Sequence, residues 1–153
     1  MSETIEQKCA AKEFKLTDQR KIIAKVMSES HDHPDVNELY IRVSKLDTKI
    51  SIATVYRTVK LFEEAGIITK HDFKGGKARY EEVSEGHHDH LIDVNTGEII
   101  EFVDEEIENL QKKVAKKYGY NLVDHKLELY GIKKKILINE KKNIYQNIWL
   151  SNE

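Results

Sequence analysis

Residues 87–90 read His-His-Asp-His, and Glu81 closely precedes them, so one short segment carries five side chains of the kind that bind metal ions. If residues 87–92 form a β-strand, successive side chains point to opposite faces of the sheet. One face then carries His88 and His90, and the other carries His87 and Asp89. The segment is alternatively a solvated loop, although the apolar Leu91 and Ile92 favour a strand. The alternation therefore predicts two separate metal half-sites.

Each half-site supplies only two ligands, whereas a transition metal takes roughly four to six, so further ligands must come from elsewhere in the fold. The remaining candidates are His33, Glu81, Glu101, Glu108 and His125. Glu108 follows the apolar Ile107 of a predicted helix, and His125 lies in the last predicted strand. A lone histidine is commonly an ordinary polar residue, so we interpret His31 and His71 as structural.

The candidate ligands offer nitrogen and oxygen atoms and no thiolate, a set that suits Fe(II), Mn(II) or Zn(II). Carboxylate-rich octahedral sites point to iron or manganese, while zinc often binds the same ligands more tightly in vitro. The single cysteine, Cys9, excludes an internal disulfide and a zinc cluster of the CxxC type. We expect this thiol to be inert.

Length and composition are those of an ordinary soluble protein. The 153 residues suffice for one medium domain or two small ones, and 34% of them are charged against 39% hydrophobic. No apolar run is long enough to cross a bilayer, and residues 1–12 lack the apolar core of a signal peptide, so we expect a cytoplasmic protein with no membrane partner. The net charge of −2 argues only weakly against nucleic-acid binding, because affinity depends on where the cations cluster.

The first half of the chain predicts three helices and a hairpin, the order of a winged helix-turn-helix. Good N-cap residues, Thr17, Asp35 and Ser51, precede three amphipathic segments, and Gly66 ends the third. In the third helix the residues expected in the core are Ile52, Val55, Val59 and Phe62. Two β-type runs follow at residues 67–73 and 78–83, joined by Lys74-Gly75-Gly76-Lys77.

The third helix is the expected recognition helix. Its outer face carries Tyr56 and Arg57, an aromatic and a cation suited to bases and phosphates in a major groove. Lys15 is a further expected DNA contact, and Arg20 and the cations of the hairpin are weaker candidates. The alternative is a merely solvated helix face, which the predicted wing makes less attractive.

The second half predicts a β-β-α-β unit with the histidine strand first. A turn at residues 95–97, a strand at 98–102, a helix and a strand at 121–130 follow. The helix is expected to bury a stripe formed by Ile107, Leu110, Val114 and Tyr118. A unit of about fifty residues is too small to cover its own sheet, so we expect a homodimer. For residues 133–153 the sequence leaves two expectations open, a docking helix and a frayed end.

Together these residues resemble the ferric uptake regulator (Fur) family of metal-dependent repressors over about residues 12–131. The segments that carry the resemblance are Lys15-Leu16-Thr17 with Arg20, His33 before Glu38-Leu39-Tyr40, Ala53-Thr54-Val55-Tyr56-Arg57-Thr58-Val59, Gly66-Ile67-Ile68, Gly75-Gly76, Tyr80-Glu81, His87-His88-Asp89-His90-Leu91-Ile92, Ile100-Glu101-Phe102, and His125 before Leu129-Tyr130-Gly131. The resemblance implies an α+β fold with an N-terminal winged helix-turn-helix and a C-terminal α/β dimerisation domain. The implied boundaries are 1–83 for the DNA-binding domain, 84–90 for a hinge, 91–132 for the dimerisation domain and 133–153 for the tail.

The same resemblance implies two metal sites per subunit and a DNA-binding set. The residues matching a regulatory site between the domains are His33, Glu81, His88 and His90, with Glu101 as a further ligand. Those matching a site within the dimerisation domain are His87, Asp89, Glu108 and His125. The DNA-binding positions are Lys15, Tyr56 and Arg57.

One departure from the family pattern concerns its structural zinc. Many members hold this zinc with two CxxC pairs, but Asp93 and Thr96 replace the first pair and the second is absent. The chain thus resembles the cysteine-poor subgroup found among alphaproteobacterial iron and manganese regulators, without a cysteine-bound structural zinc.

The resulting hypothesis is a repressor with Fe(II) or Mn(II) as corepressor, which binds operator DNA of the AT-rich inverted-repeat type and controls metal-uptake genes. A manganese-responsive regulator of the same family is the alternative. Less favoured are a metal-dependent hydrolase and a metal buffer, since no HExxH run, nucleophile elbow or phosphate loop occurs in the sequence. We expect no enzymatic activity.

Overall fold

The computed structural model of the chain describes residues 3–74, 76–83 and 86–134. Within them, in chain order, lie the helices α1 (Ile5–Ala11), α2 (Asp18–Ser28), α3 (Val36–Ser44) and α4 (Ile52–Glu64), the strands β1 (Ile68–His71), β2 (Arg79–Glu82), β3 (Asp89–Asp93) and β4 (Ile99–Phe102), the helix α5 (Glu105–Lys117) and the strand β5 (Glu128–Gly131). This order confirms an α+β chain with a winged helix ahead of a smaller α/β unit.

Helix α1 is an element that the sequence analysis did not predict. It starts with a capping box, in which the Thr4 hydroxyl accepts from the backbone N–H of Gln7 and the Gln7 side chain accepts from Thr4. Its two buried residues, Ile5 and Cys9, pack into the core of the winged helix. The helix has only seven residues, too few for an apolar periodicity to stand out, so the capping box was its only signal.

The predicted starts of the next three helices are confirmed. The side chains of Thr17, Asp35 and Ser51 each accept a hydrogen bond from the third residue of the following helix. The core face of α4 differs at one position, because Ile52 is 38% exposed while Thr58 is buried and donates its hydroxyl to the Thr54 carbonyl at 2.8 Å. Ile52 is the first residue of the helix, and its side chain lies at the edge of the core, where it is only partly covered.

The hairpin of β1 and β2 is antiparallel, as predicted, with Thr69 opposite Glu81 and His71 opposite Arg79. Apolar side chains of α2, α3 and α4 pack with this hairpin around the buried Phe62 and Ile67. Burial of this core positions β2, and with it Glu81, beside the turn that leads into α3.

The second sheet has the strand order β4-β3-β5, with β3 antiparallel to β4 and parallel to β5. Helix α5 provides the crossover that a parallel pair requires. The histidine strand starts at Asp89, so the prediction of a strand from residue 87 is wrong for its first two residues. The last strand is also shorter than the predicted 121–130. Residues 119–127 form no regular element, and only the residues of β5 pair with β3.

The expected burial of the α5 stripe is wrong for the single chain. Leu110, Val114 and Tyr118 are 62%, 52% and 70% exposed, and α5 buries no residue completely. A sheet of three short strands offers too little surface to cover both its own faces and a helix. Other exposed apolar side chains of this half include Ile100, Leu129 and Ile132.

Two expectations concern segments at the edges of the described chain. Of the predicted hinge 84–90, residues 84 and 85 lie outside the described residues and 89 and 90 belong to β3. Most of the predicted tail 133–153 also lies outside them, from residue 135 onward. Among the described helices, none combines the length and the apolar content needed to cross a membrane.

Candidate metal centres

The five residues predicted to form a site between the two halves meet in space. They are His33, Glu81, His88, His90 and Glu101, and one ligand atom from each lies within 4.8 Å of all the others. His33 lies in the segment between α2 and α3, and Glu81 lies on β2 of the hairpin. The other three belong to the second half, where His90 faces Glu101 across the β3–β4 pair and His88 immediately precedes β3.

The centre of this cluster is the imidazole of His33, which is only 4% exposed. Its Nε2 atom lies 2.6 Å from Oε2 of Glu81 and 2.7 Å from Oε1 of Glu101. His88 Nε2 approaches the same two carboxylates at 3.4 and 3.3 Å. Within the described residues, the buried Nε2 atoms of His33 and His90 lack a hydrogen bond of proper geometry. Imidazole nitrogens and carboxylate oxygens that converge on one point, two of the nitrogens without a hydrogen bond, fit a bound divalent cation.

Electrostatics favour the protonation states that metal ligands need. Burial alone raises the pKa of Glu81, but the imidazoles of His33 and His71 outweigh it and hold that pKa well below its usual range. Burial, together with the charge of His71, lowers the pKa of His90 to about 4. An ionised carboxylate and a neutral imidazole are therefore present at neutral pH, as ligation requires.

His71 is a residue of this region that the sequence analysis assigned only a structural role. Its Nε2 lies 2.6 Å from Oε1 of Glu81, and its ring stacks on Phe73 at 5.3 Å. It thus contacts the carboxylate oxygen that faces away from His33. The available signal was the hairpin itself, since residues two apart on a strand share a face and His71 lies two positions from the partner of Glu81.

The second predicted set, His87, Asp89, Glu108 and His125, also converges, with its ligand atoms within 4.8 Å of one another. The Oδ1 atom of Asp89 lies 3.3 Å from His87 Nε2 and 3.2 Å from His125 Nε2. Glu108 Oε1 lies 3.3 Å from His125 Nε2. Asp89 is almost fully buried, and its other oxygen has no hydrogen-bond partner among the described residues. This set also fits a divalent cation.

The structure thereby separates the two ligand sets as the strand alternation predicted. His125 reaches its site from the irregular segment before β5, not from a strand as expected. Glu108 extends from the first turn of α5, so the second site joins that helix to β3.

Residues 11–130 match the sequence profile of the Ferric uptake regulator family. The chain belongs to that family. It is 57% identical over 132 residues to a ferric uptake regulation protein of Rhizobium leguminosarum bv. viciae, a match that covers 86% of this chain and 93% of the relative.

Solved structures of metal-uptake regulators agree with this fold. A zinc-bound manganese uptake regulator is 56% identical, with a TM-score of 0.79 over 86% of this chain and all of its own. The ferric uptake regulator of Vibrio cholerae is 40% identical, with a TM-score of 0.75 over 84% of this chain and 98% of its own.

The residues predicted to meet DNA lie on the surface of the winged helix. Tyr56 is 53% exposed, and Arg57 is exposed beside it on the outer face of α4. Lys15 is exposed in the segment between α1 and α2. All three are accessible to a partner, and none of them takes part in the core.

The positions where many Fur-family proteins carry the first cysteine pair have a different role in this chain. The Oδ1 atom of Asp93 accepts from the backbone N–H groups of Asn95 at 2.8 Å and Thr96 at 3.3 Å. The carboxylate therefore organises the β3–β4 turn. With Cys9 buried in the core and no other cysteine in the sequence, the chain has no ligands for a cysteine-bound zinc.

Proposed function

We propose that this Fur-family protein is a DNA-binding transcriptional repressor that responds to Fe(II) or Mn(II) and controls metal-uptake genes. One observation carries the proposal: the first cluster takes His33 and Glu81 from the winged helix and its other ligands from the α/β half. Ligation there depends on how the two halves are arranged, and metal binding and DNA reading are thereby linked.

The positions of the ligands determine which arrangement of the two halves a bound metal favours. A bound divalent cation supplies the positive charge that lets two carboxylates and three imidazoles share one point. Its five ligands can converge only when β2 and the turn before α3 lie against β3 and β4. Metal at about a hundred times its dissociation constant favours that arrangement by roughly 2.7 kcal/mol, about a hundredfold in population.

The nitrogen and oxygen donors accept either iron or manganese, and both metals occur in the names of similar proteins. The zinc-bound manganese regulator supports Zn(II) as a surrogate in vitro. We assign the first cluster as the regulatory site. The second cluster lies within the α/β half, and we assign it a supporting role in holding α5 and the segment before β5 against β3.

A homodimer is part of the proposal. Fur-family members are dimeric DNA-binding regulators, and the exposed apolar side chains of α5 and of the second sheet offer the surface that a second copy would cover. Burying such a stripe across a two-fold axis would account for its amphipathic pattern. The proposed boundaries remain 1–83, 84–90, 91–132 and 133–153.

For DNA, we propose that Tyr56 and Arg57 enter the major groove and that Lys15 binds phosphate. A dimer carries two copies of α4, so its operator is expected to be an inverted repeat, of the AT-rich type. The proposed location is the cytoplasm, where a bacterial regulator meets the chromosome, and the proposal includes no enzymatic activity.

Anaerobic fluorescence anisotropy of a labelled AT-rich inverted repeat tests the function. The protein is titrated with chelator, Fe(II) or Mn(II), in the presence of scrambled competitor DNA at fixed salt. The expected result is tight, specific binding only with metal. Specific binding that survives chelator would contradict the corepressor role, and absence of binding by an intact, metal-loaded dimer to any duplex of this type would favour a metal buffer.

A further inference from the structure

Arg79, at the start of β2, contacts both halves of the molecule. Its Nε–H donates to the backbone carbonyl of His33 at 2.6 Å, and its Nη2 donates to the backbone carbonyl of Gly97 at 3.4 Å. His33 lies in the winged helix, whereas Gly97 lies in the β3–β4 turn of the α/β half. One guanidinium therefore joins the two halves next to the first metal cluster, although it offers no ligand atom itself.

The backbone at His33 needs such support. His33 has a φ of +53°, in the left-handed region that a residue with a side chain rarely adopts, and it precedes Pro34, a position biased toward extended backbone. Two hydrogen bonds from β2 hold this turn: that of Arg79, and that from the backbone N–H of Tyr80 to the Pro34 carbonyl at 3.1 Å. The direction of the His33 ring follows from this backbone conformation.

The second hydrogen-bond acceptor of Arg79, the Gly97 carbonyl, lies in a well-defined turn. Gly97 has a φ of +75°, and its N–H donates to the Asp93 carbonyl at 2.8 Å, so its own carbonyl has a set direction. A Cβ atom at Gly97 would lie 3.3 Å from Nη1 of Arg79, which shows how closely the guanidinium approaches this turn. The turn connects the strands that carry His90 and Glu101.

We propose that Arg79 is a positioning residue that ties the two halves together without metal and thereby prepares His33 for ligation. The role in metal affinity rests on the proposed function, whereas the tie itself does not. A guanidinium suits this task because its planar fork of N–H donors reaches two carbonyls at once, which a lysine ammonium on its flexible stem does not reproduce. Arg79 thus provides a link between the halves in addition to the ligand cluster and to the hydrogen bond from the Lys74 backbone N–H to the Tyr130 hydroxyl.

The first test measures the tie in chelator. With Cys9 replaced by alanine, spin labels are placed at exposed positions on the two halves, Lys60→Cys on α4 and Lys112→Cys on α5. Labelled chain is diluted in excess unlabelled chain, and pulsed electron resonance gives the distance distribution within one chain. Arg79→Gln is expected to broaden this distribution in chelator. An unchanged distribution would overturn the tie.

Arg42→Gln is the matched control. The Arg42 guanidinium also holds the loop before His33, through Ser30 at 2.9 Å and through Asp32, but these hydrogen-bond partners among the described residues all lie in the winged helix. It should leave the distance distribution between the halves unchanged. Equal broadening by Arg42→Gln would show that any loosening of this loop has the same effect, and would reject a specific role for Arg79.

The second test is Mn(II) affinity by anaerobic titration calorimetry, with His33→Ala and His125→Ala as references that identify the two sites. Arg79→Gln is expected to weaken the site containing His33 by about tenfold, the lower end of effects measured for groups that orient ligands, and to leave the other site unchanged. Arg79→Lys should recover part of the loss. Equal weakening of both sites, or none at the first, would overturn the positioning role.

The two tests distinguish failure of the proposed function from failure of the role proposed for Arg79. If the wild-type protein bound no Mn(II) at the first cluster, the proposed function would fail, while the distance measurement in chelator would still decide whether Arg79 ties the halves. If Mn(II) bound normally and the tie were absent, only the role of Arg79 would fall.

Discussion

The Nε2 atoms of His87 and His125 lie 2.7 Å apart, although the residues are 38 positions apart in the chain. One ring nitrogen can donate to the other only when one ring carries a proton on Nε2 and the other does not, whereas two neutral rings with bare Nε2 atoms can both bind a cation. The carboxylates of Asp89 and Glu108 beside them make the second arrangement the more favourable one.

Replacing His125 by alanine is therefore expected to remove one of two metal ions per subunit. Equilibrium dialysis against Mn(II), followed by elemental analysis, measures the ratio of metal to protein. The first cluster shares no ligand with the second, so its metal should remain. Retention of two ions would contradict the assignment of His125 as a ligand.

His33→Ala and His90→Ala are expected to weaken metal-dependent DNA binding, because each removes a ligand of the cluster that joins the two halves. Anisotropy at saturating and at limiting Mn(II) distinguishes lost metal affinity from lost DNA contacts, and residual binding in chelator should be unaffected. Unchanged metal-dependent affinity in both variants would contradict the proposal that metal at this cluster links the two halves.

Arg57→Ala is expected to weaken binding to the operator by roughly 1–3 kcal/mol if the guanidinium reads a base, and to relax specificity at that base pair. If it binds phosphate instead, affinity should fall for all sequences and the salt dependence should become shallower. Lys112→Ala on α5 is the control, since it removes a cation far along the chain from α4. Equal effects of the two variants would argue against α4 as the recognition helix.

Leu110→Glu is expected to shift the protein from dimer to monomer, because it places a charge within the exposed apolar stripe of α5. Light scattering after size-exclusion chromatography gives the mass. The side chain is already exposed in the single chain, so the fold should survive, as circular dichroism would show. Lys112→Glu, on the opposite face of α5, should remain dimeric.

The metal-free protein is expected to lose stability as the pH falls from about 6.5 to about 4. The pKa of His90 is lowered to about 4 in the folded state, against an ordinary value of 6.5, mainly by burial. In this window the unfolded chain binds a proton that the folded chain does not, so stability falls with pH, by up to about 3 kcal/mol in total. Urea unfolding in chelator across this range measures the slope, and His90→Gln should flatten it. An equal slope in the variant would assign the effect to other groups.

Local signals in the sequence were sufficient for much of the fold. The caps at Thr17, Asp35 and Ser51 marked helix starts because an N-cap acts on backbone groups of its own first turn. Alternation along residues 87–90 separated the two ligand sets, even though the strand proper begins only at Asp89. Remote ligands such as His33 and His125 were assigned to their sites through the family resemblance, since spacing alone does not show which distant residues meet.

Features that depend on contacts between distant segments were missed. The hydrogen bonds from Arg79 to His33 and Gly97 leave no mark in composition or periodicity. For His71, the alternation along the predicted hairpin offered a signal, but only the pairing register shows that it lies beside Glu81. The exposure of Leu110 shows a related limit of sequence analysis. An apolar stripe predicts that a helix face will be covered, but it does not show whether the same chain or a second copy covers it.

The sequence by itself thus determined the chemistry of the ligands, the starts of the main helices and the division of the histidine strand, all of which act over a few neighbouring residues. Only the tertiary structure decided which side chains converge and which backbone conformation holds them, as at His33 with its positive φ before Pro34. The reason is physical: the contacts that bring β2 beside β3 and β4, such as those of Arg79 with His33 and Gly97, join residues far apart in the chain. Local conformational preferences carry no information about such contacts.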